Sequence, residues 1–201
     1  MPKSFPHIIG ITGSIATGKS TVTAILRDQG LTVICADEIA HTLTARGGKA
    51  FHKVMRLFGK GFLKPNGEIN RQEIAKLVFH DKKKRQALEN LIHPLVQSEI
   101  RRLIRNHAKT SRLIFLDIPL LFESGIDKLC DITVCVVSTQ KNQITRLQKF
   151  RNMSRSHALN RIRSQMPLKE KIRRANFILK NNSTKADLKR MTLKLLNEFL
   201  R

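Results

Sequence analysis

The chain has 201 residues, which is enough for one domain, or for one core with a sizeable insertion, and excludes a miniprotein that depends on disulfides or metals for its stability. Its 38 Lys and Arg against 15 Asp and Glu give a net charge of +23, which would suit binding to nucleic acid or to anionic metabolites. Because Trp and Tyr are absent and the charges are spread along the chain, we expect no base-stacking surface and no specific nucleic-acid partner.

The start of the chain and the cysteines bear on where the protein works. Residues 1–10 lack the long apolar region and the small-residue cleavage site of a signal peptide, and no later apolar run approaches the length that spans a membrane. The cysteines, Cys35, Cys130 and Cys135, are odd in number and have no C-x-x-C spacing. We therefore expect buried, reduced thiols in a cytoplasmic protein that does not associate with a membrane.

A glycine-rich segment, GSIATGKST, follows the first predicted strand, Ile8–Ile11. It fits the phosphate-loop pattern G-x-x-x-x-G-K-[ST]. The glycines let the backbone turn so that successive N–H groups point at phosphate oxygens, the lysine reaches the outer phosphates, and the hydroxyl after it can bind Mg²⁺. We expect the triphosphate-binding residues to be Gly13, Ser14, Ala16, Thr17, Gly18, Lys19, Ser20 and Thr21.

The next elements place a carboxylate near this loop. A helix is predicted at Thr21–Gln29, with Gly30 as its C-terminal stop, and a short buried strand at Leu31–Cys35. Asp37 follows this strand. Because the carboxyl ends of parallel strands share the edge at which ligands bind, we expect Asp37 at the same edge as the phosphate loop. The alternative role for Asp37 is to cap a helix before Glu38.

The chain from about residue 40 to 109 shows one helical pattern after another and no convincing strand. Turn signals interrupt it at FGKG, residues 58–61, and at PNG, residues 65–67. A proline fits the first turn of a helix. The predicted helices are Glu68–His80, Lys82–Leu91 and Pro94–His107. A helical insertion of this size between the second and third strands suggests a cap or substrate domain.

The last part of the chain returns to alternating elements. Strands are predicted at Leu113–Asp117, Ile132–Val137 and Phe177–Leu179, and helices at Gln140–Lys149, Ser154–Ser164, Leu168–Ala175 and Ala186–Phe199. Strands that alternate with helices, joined by right-handed crossovers, predict a three-layer α/β/α fold around a parallel sheet.

Several further stretches make the phosphate loop more specific. In chain order, GSIATGKST, VICADEIA, FG…NGEINR, LVFHD, HP, DIPLLFE, QITRL, R…RIRSQM and KNN together resemble the dephospho-coenzyme A kinase family over about residues 8–182. The resemblance implies a phosphate-loop kinase with a core of about residues 1–40 and 110–201, a helical coenzyme A-side insertion at about 41–109 and a helical lid at about 148–175. It also implies transfer of the γ-phosphoryl of ATP, with Mg²⁺, to the ribose 3′-hydroxyl of dephospho-coenzyme A.

The resemblance assigns roles to single residues. Asp37 matches the acid that orients or deprotonates the acceptor hydroxyl, Lys19 the phosphate ligand and Ser20 the Mg²⁺ ligand, and Asp117 could position the metal through water. On the ATP side it implies Arg151 and Arg161 in the lid and Asn181 near the adenine. On the acceptor side it implies Arg71, His93, Pro119 and Leu120. The competing interpretations are that Arg151 and Arg161 are solvated helix residues and that His93 caps the helix opened by the next proline.

Five positions depart from the family pattern. Ala16 stands where glycine is common, which is tolerable if its φ stays negative. Cys35 replaces the first acid of the usual D-A-D, so that the catalytic acid must be Asp37. His41 replaces an arginine and removes a permanent cation. Asn176 and Lys180 replace two aspartates near the adenine loop.

Two other functions are compatible with part of the sequence. Another phosphate-loop kinase, acting on a nucleoside monophosphate or a small alcohol, would explain the loop, base and lid but not NGEINR and DIPLLFE together. A basic nucleic-acid-binding ATPase would explain the charge, but the aromatic platform for stacking is absent. We therefore expect ATP and dephospho-coenzyme A as partners, and a monomer or weak homo-oligomer.

Overall fold

The computed structural model describes residues 7–200. Residues 1–6, which belong to the start where we expect no signal peptide, and residue 201 lie outside the described part. The chain divides into two compact units, of which the first comprises Met1–Ile34 with His107–Arg201 and the second comprises Cys35–Asn106.

The first unit is built on a parallel sheet. Its strands are β1 (His7–Gly13), β2 (Thr32–Cys35), β3 (Leu113–Asp117), β4 (Ile132–Val137) and β5 (Phe177–Lys180), in the order β2-β3-β1-β4-β5. β1 pairs in parallel with both β3 and β4, and β4 pairs in parallel with β5. All five residues of β3 are buried, as expected for a strand that is covered on both faces. The predicted α/β fold with a parallel sheet is confirmed.

Residues 7–200 contain nine α-helices. They are α1 (Lys19–Asp28), α2 (Ala36–Thr44), α3 (Phe51–Phe58), α4 (Arg71–His80), α5 (Lys82–His107), α6 (Gln140–Arg151), α7 (Arg155–Arg163), α8 (Leu168–Arg174) and α9 (Lys185–Leu200). No helix in this part of the chain is long and apolar enough to cross a membrane.

The core of the first unit fixes the start of α1, where the phosphate loop ends. Val22 and Leu26 of α1 and Leu188 of α9 belong to one buried apolar cluster with Ile9 and Ile11 of β1. Burial of such side chains stabilises each by roughly 1.5–3 kcal/mol. The loop is therefore held between a strand and a helix that are both anchored in the core.

The second unit is helical, and its longest helix differs from the prediction. We expected a break before Pro94, but α5 runs without interruption from Lys82 to His107. Pro94 is exposed, whereas Val96 and Ile100 are buried. A proline inside a helix costs one backbone hydrogen bond and about 3 kcal/mol. Packing of the apolar face offsets that cost here, which a local pattern does not reveal.

The start of α4 also lies later than predicted, at Arg71 instead of Glu68. Asn70 is the N-cap, and its side-chain oxygen accepts a hydrogen bond from the Glu73 N–H at 3.3 Å. An N-cap asparagine satisfies one of the N–H groups that a first helical turn leaves unpaired. The residues before it form the turn that the PNG signal predicted, with Gly67 at φ 79°.

The cysteines are all free, and their burial is only partly as predicted. Cys135 is buried, whereas Cys35 and Cys130 are half-buried, so the expectation of three buried thiols is wrong for two of them. Burial raises the pKa of the Cys130 thiol to about 12 and that of the Cys135 thiol to about 11. Both therefore remain protonated at neutral pH.

Candidate active site

The phosphate loop joins β1 to α1 and presents unpaired donors. Within residues 7–200, the backbone N–H groups of Ala16, Gly18, Lys19 and Ser20 have no protein acceptor. They lie at the N-terminus of α1, where the helix dipole favours negative charge. Orphan N–H groups at the start of a helix are a ready site for phosphate oxygens.

The glycines of the loop are required for steric reasons. Gly18 has φ 99°, a conformation that residues with a Cβ rarely adopt, and a Cβ there would collide with the Asn181 side-chain amide. A Cβ at Gly13 would lie 2.6 Å from the carbonyl oxygen of Val136. The backbone therefore passes closer to its neighbours at these two positions than any other residue would allow.

Ala16 does not meet the condition under which an alanine is tolerable at this position. Its φ is 59°, in the left-handed region, and not negative. This conformation costs an L-residue roughly 1–2 kcal/mol, because Cβ approaches the following carbonyl oxygen. The alanine thus carries strain at a position where the family commonly has glycine.

Arg146 of α6 donates hydrogen bonds to carbonyl oxygens of the phosphate loop. Its Nη1 donates to the carbonyl oxygen of Ala16 at 3.1 Å, with the Thr17 carbonyl oxygen at 3.4 Å. Its Nη2 donates to the Asn181 carbonyl oxygen at 3.0 Å. Burial lowers the pKa of Arg146 from its ordinary value, but a guanidinium keeps its charge in proteins. One cation therefore satisfies carbonyl groups that would otherwise repel a bound phosphate.

Two glutamines fix the residue Ile15 from opposite sides. Gln143, which is buried, donates through Nε2 to the Ile15 carbonyl oxygen at 2.6 Å. Gln165 accepts at Oε1 from the Ile15 N–H at 2.8 Å and from the Ser14 hydroxyl at 3.1 Å. The loop conformation is thus set by side chains far away in sequence as well as by its own glycines.

Asn181, which was predicted near the adenine, is buried and supports the loop. Its Nδ2 donates to the Thr17 carbonyl oxygen at 2.8 Å, and its N–H donates to the Val137 carbonyl oxygen at 2.8 Å. Thr17 in turn donates through its hydroxyl to the Ser14 carbonyl oxygen at 2.9 Å. The side chains of Asn181 and Thr17 therefore hold the loop from within the protein.

Lys19 forms an ion pair with Asp117 at the end of β3. Asp117 is 5% exposed, and its other oxygen accepts from the Thr23 hydroxyl at 3.1 Å. The Thr23 hydroxyl also lies 3.3 Å from the Ser20 carbonyl oxygen, while Ser20 itself is exposed at the start of α1. The predicted phosphate ligand, metal ligand and second carboxylate thus meet around one helical turn.

The segment after β3 is anchored by a buried lysine. The Pro119 carbonyl oxygen accepts from Lys171 Nζ at 2.7 Å and from the Thr12 hydroxyl at 3.0 Å. Lys171 also pairs with Glu123 at 2.9 Å, and its side chain has no exposed surface. Pro119 and Leu120, predicted on the acceptor side, are half-buried and held at the carboxyl end of the sheet.

The predicted lid is strongly basic. Residues 148–175 contain nine Lys or Arg and only one acidic residue, Glu170. Arg151 is the last residue of α6 and is exposed, whereas Arg161 lies on α7 and is half-buried. Asn152 links the two helices with φ 48°, which allows the chain to turn there. The segment therefore carries the positive charge that binding of a polyphosphate requires.

In the second unit, Asp37 is exposed in the first turn of α2, and Arg71 is the first residue of α4. The N-cap of α2 is Cys35, so the alternative role of Asp37 as a helix cap is wrong. Arg71 Nη2 donates to the His41 carbonyl oxygen at 2.8 Å. Burial lowers the pKa of Arg71, and the nearby Glu68 carboxylate raises it by a smaller amount.

His93 lies inside α5 and is half-buried. The competing interpretation, that it caps a helix opened by Pro94, is wrong because the helix continues through both residues.

Four residues that hold the site were not among the predicted site residues: Gln143, Arg146, Gln165 and Lys171. Gln143 and Arg146 lie in QITRL, and Gln165 lies in RIRSQM. Both stretches carry the family resemblance, and this was the available signal. Lys171 carries no such signal, because one lysine in a basic helix is normally exposed.

Comparison with known proteins assigns the family. The family model described as dephospho-CoA kinase matches residues 7–187. The chain belongs to the dephospho-CoA kinase family.

Individual curated relatives and solved structures are similar to the chain over most of their length. The chain is 38% identical to the dephospho-CoA kinase of Geobacillus kaustophilus, with 95% of this chain and 96% of the relative covered. The crystal structure of TT1252 from Thermus thermophilus has a TM-score of 0.79 at 37% identity and covers 97% of this chain and 98% of its own. The dephospho-CoA kinase of Campylobacter jejuni has a TM-score of 0.71 at 30% identity, with 95% and 96% covered.

The departures from the dephospho-CoA kinase pattern near the C-terminus have structural explanations. Asn176 Oδ1 accepts from both the N–H and the hydroxyl of Thr133, each at 2.8 Å, and so joins the starts of β4 and β5. Lys180 is the last residue of β5 and is exposed. Neither residue disturbs the position of Asn181, which stays bonded to the phosphate loop.

Proposed function

We infer that the chain transfers the γ-phosphoryl group of ATP to the ribose 3′-hydroxyl of dephospho-coenzyme A and releases coenzyme A and ADP. The observation that carries this conclusion is the phosphate loop, with four unpaired N–H groups and Lys19 at the start of α1, in a member of the dephospho-CoA kinase family. The comparisons favour neither a nucleoside monophosphate kinase nor a nucleic-acid-dependent ATPase, although the net charge of +23 would suit the latter.

ATP binding would use the donors that the loop leaves unpaired. The N–H groups of Ala16, Gly18, Lys19 and Ser20 would contact the phosphates, and the Lys19 ammonium would exchange Asp117 for the outer phosphate oxygens. Gly13, Ser14, Thr17 and Thr21 shape the loop around them. Because the loop carbonyls are already satisfied by other side chains, little reorganisation would accompany binding.

The residues at the start of α1 fit a magnesium ion. The Ser20 hydroxyl would bind it, and Asp117 would hold one of its waters once Lys19 has moved to the phosphates. No group of three or more acidic, histidine or cysteine side chains in residues 7–200 forms a metal cage. Mg²⁺ typically binds in this way, through one or two protein oxygens together with substrate phosphates. It would neutralise charge that develops during transfer.

We propose Asp37 as the base that orients and deprotonates the acceptor hydroxyl. This proposal rests on the match of CADEIA to the family pattern, on an exposed carboxylate and on its position two residues after β2. Arg71, His93, Pro119 and Leu120 are proposed to bind dephospho-coenzyme A, with residues 41–109 as its domain.

The lid, at about residues 148–175, is proposed to close over ATP with Arg151 and Arg161 on its phosphates. Paired guanidinium donors suit phosphate oxygens, and closure would exclude water from the transfer. Because the Asn181 amide is bonded to Thr17, we propose that Asn181 acts on the nucleotide through the loop it supports.

A coupled assay with ATP, Mg²⁺ and dephospho-coenzyme A tests this function. We expect one ADP and one coenzyme A for each phosphoryl group transferred. Turnover with a nucleoside monophosphate, and none with dephospho-coenzyme A, would contradict the acceptor. ATP hydrolysis that depends on RNA or DNA at physiological salt would favour the ATPase. We also propose a cytoplasmic monomer or weak homo-oligomer without a specific nucleic-acid partner.

A further inference from the structure

Gln165 contacts the phosphate loop differently from the other residues that hold it. Its Oε1 accepts from the Ile15 N–H, at 2.8 Å, and from the Ser14 hydroxyl, at 3.1 Å. Gln143 and Arg146 instead donate to carbonyl oxygens of the loop. Gln165 therefore binds two donors of the loop, which are groups of the kind that otherwise bind phosphate.

The backbone beside Gln165 is fixed to the segment that follows β3. The Met166 N–H donates to Glu123 Oε1 at 3.3 Å, and Lys171 Nζ lies 2.9 Å from the same oxygen. Lys171 is fully buried and also donates to the Pro119 carbonyl oxygen. A buried ammonium is costly to separate from its carboxylate, so this connection is a fixed end of the lid.

The contact divides the loop into two halves. Ser14 and Ile15 are bound to Gln165, whereas the N–H groups of Ala16, Gly18, Lys19 and Ser20 are the ones left for phosphate. A neutral amide oxygen satisfies Ser14 and Ile15 without placing negative charge beside a polyphosphate. Arg161 lies four residues before Gln165, so the same contact also locates the end of α7 relative to the loop.

We propose that Gln165 is a positioning residue for phosphoryl transfer, which ties the fixed end of the lid to the Ser14–Ile15 half of the phosphate loop and sets the other half for ATP. The inference rests on the proposed function, because it requires ATP in this loop. Loss of the amide oxygen should weaken ATP binding about tenfold, since two neutral hydrogen bonds are removed. Binding of the acceptor should not change.

Two variants separate positioning from stability. Gln165→Met keeps the volume and removes the acceptor, whereas Gln165→Glu keeps an acceptor and adds a charge. Gln140→Met, at an exposed glutamine that begins α6 and lies outside the lid, is the matched control. The dissociation constant of ATP is measured by calorimetry on the full chain, together with kcat, both KM values and the thermal midpoint.

We expect Gln165→Met to raise the ATP dissociation constant about tenfold and to leave the KM of dephospho-coenzyme A within about twofold. Gln165→Glu should keep the thermal midpoint and still bind ATP more weakly than the wild type, because its carboxylate adds negative charge against the loop that is proposed to bind the phosphates. Gln140→Met should behave as the wild type. The inference is overturned if either Gln165 variant binds ATP with an affinity within about twofold of the wild type, whether or not its thermal midpoint is lower.

The wild type separates this inference from the proposed function. If it binds ATP but does not phosphorylate dephospho-coenzyme A, the acceptor assignment fails and the binding comparison still decides the role of Gln165. If the wild type does not bind ATP, both are overturned.

Discussion

At the scale of single residues, Ala16 is the most strained position of the phosphate loop. Its φ of 59° lies where glycine is favoured, and Arg146 holds its carbonyl oxygen at 3.1 Å. The surrounding structure therefore holds Ala16 in a backbone conformation that alanine disfavours. The strain lies at the centre of the ATP-binding loop, one residue before Thr17.

Ala16→Gly should raise the free energy of unfolding. Relief of the left-handed strain outweighs the added entropy of the unfolded chain, so we expect a gain of about 0.5 to 1 kcal/mol. Urea unfolding measures it. Ala175→Gly is the control, because Ala175 has φ −83° and the same change there should destabilise the protein. Equal losses of stability in both variants would mean that Ala16 is not strained.

Asp37→Asn should lower kcat by about 10² to 10⁴-fold, because the acceptor hydroxyl loses its base. The dissociation constant of ATP should stay within about twofold of the wild type, since the phosphate loop is untouched. Steady-state kinetics and calorimetry provide the two measurements. Glu38→Gln removes the neighbouring exposed carboxylate in the same helical turn and should leave kcat nearly unchanged. Full activity of Asp37→Asn would remove Asp37 from the mechanism.

At the scale of elements, α5 shows how packing overrides a local signal. The helix continues through Pro94, which is exposed, while its buried face carries Val96 and Ile100. The proline removes one donor from the helix ladder, and that loss is tolerated because the neighbouring turns are held by their apolar contacts. The helix therefore keeps a weak turn near His93, a residue proposed to bind the acceptor.

Pro94→Ala should stabilise the protein, because it restores a backbone hydrogen bond at a site where little packing is lost. We expect a gain of about 1 to 2 kcal/mol, less than the full cost of a mid-helix proline because alanine makes the unfolded chain more flexible. Ser98→Ala, at another exposed position of α5, should change stability by less than about 0.5 kcal/mol. Thermal or urea unfolding distinguishes the two. A loss of stability in Pro94→Ala would show that the ring makes contacts of its own.

The elements that the sequence predicted well are those whose signals are local. The strands at residues 113–117 and 132–137 were predicted from continuous apolar runs, because a strand that is covered on both faces is apolar along nearly its whole length. The loop and its lysine follow from a motif whose geometry is fixed within nine residues. The contacts of Arg146 and Gln165 with the loop join residues more than 120 positions apart, and no local pattern encodes them.

At the scale of the whole molecule, the net charge of +23 determines how electrostatics affects stability. Many of its exposed ion pairs join residues three or four positions apart on one helix, such as Lys76 with Glu73 and Arg102 with Glu99. Such pairs contribute about 0 to 1 kcal/mol each. They do not offset the mutual repulsion of the remaining cations, which acts on the folded state.

Added salt should therefore stabilise the protein. Between 0.05 and 0.5 M KCl we expect the thermal midpoint to rise by a few degrees, because screening weakens the repulsion of like charges. Differential scanning calorimetry measures it. The double variant Lys82→Glu and Lys83→Glu lowers the net charge at the exposed start of α5 and should respond less to salt. A midpoint that falls with salt would mean that attractive pairs outweigh the repulsion.

The supports of the phosphate loop have a consequence for protein fragments. The motif is complete by Thr21, but the side chains that satisfy the loop carbonyls come from Gln143, Arg146 and Asn181. A chain shortened before α6 would keep every letter of the motif and lose these donors. The loop of such a fragment would be flexible. Grafting the motif alone into another protein would therefore not reproduce the binding site.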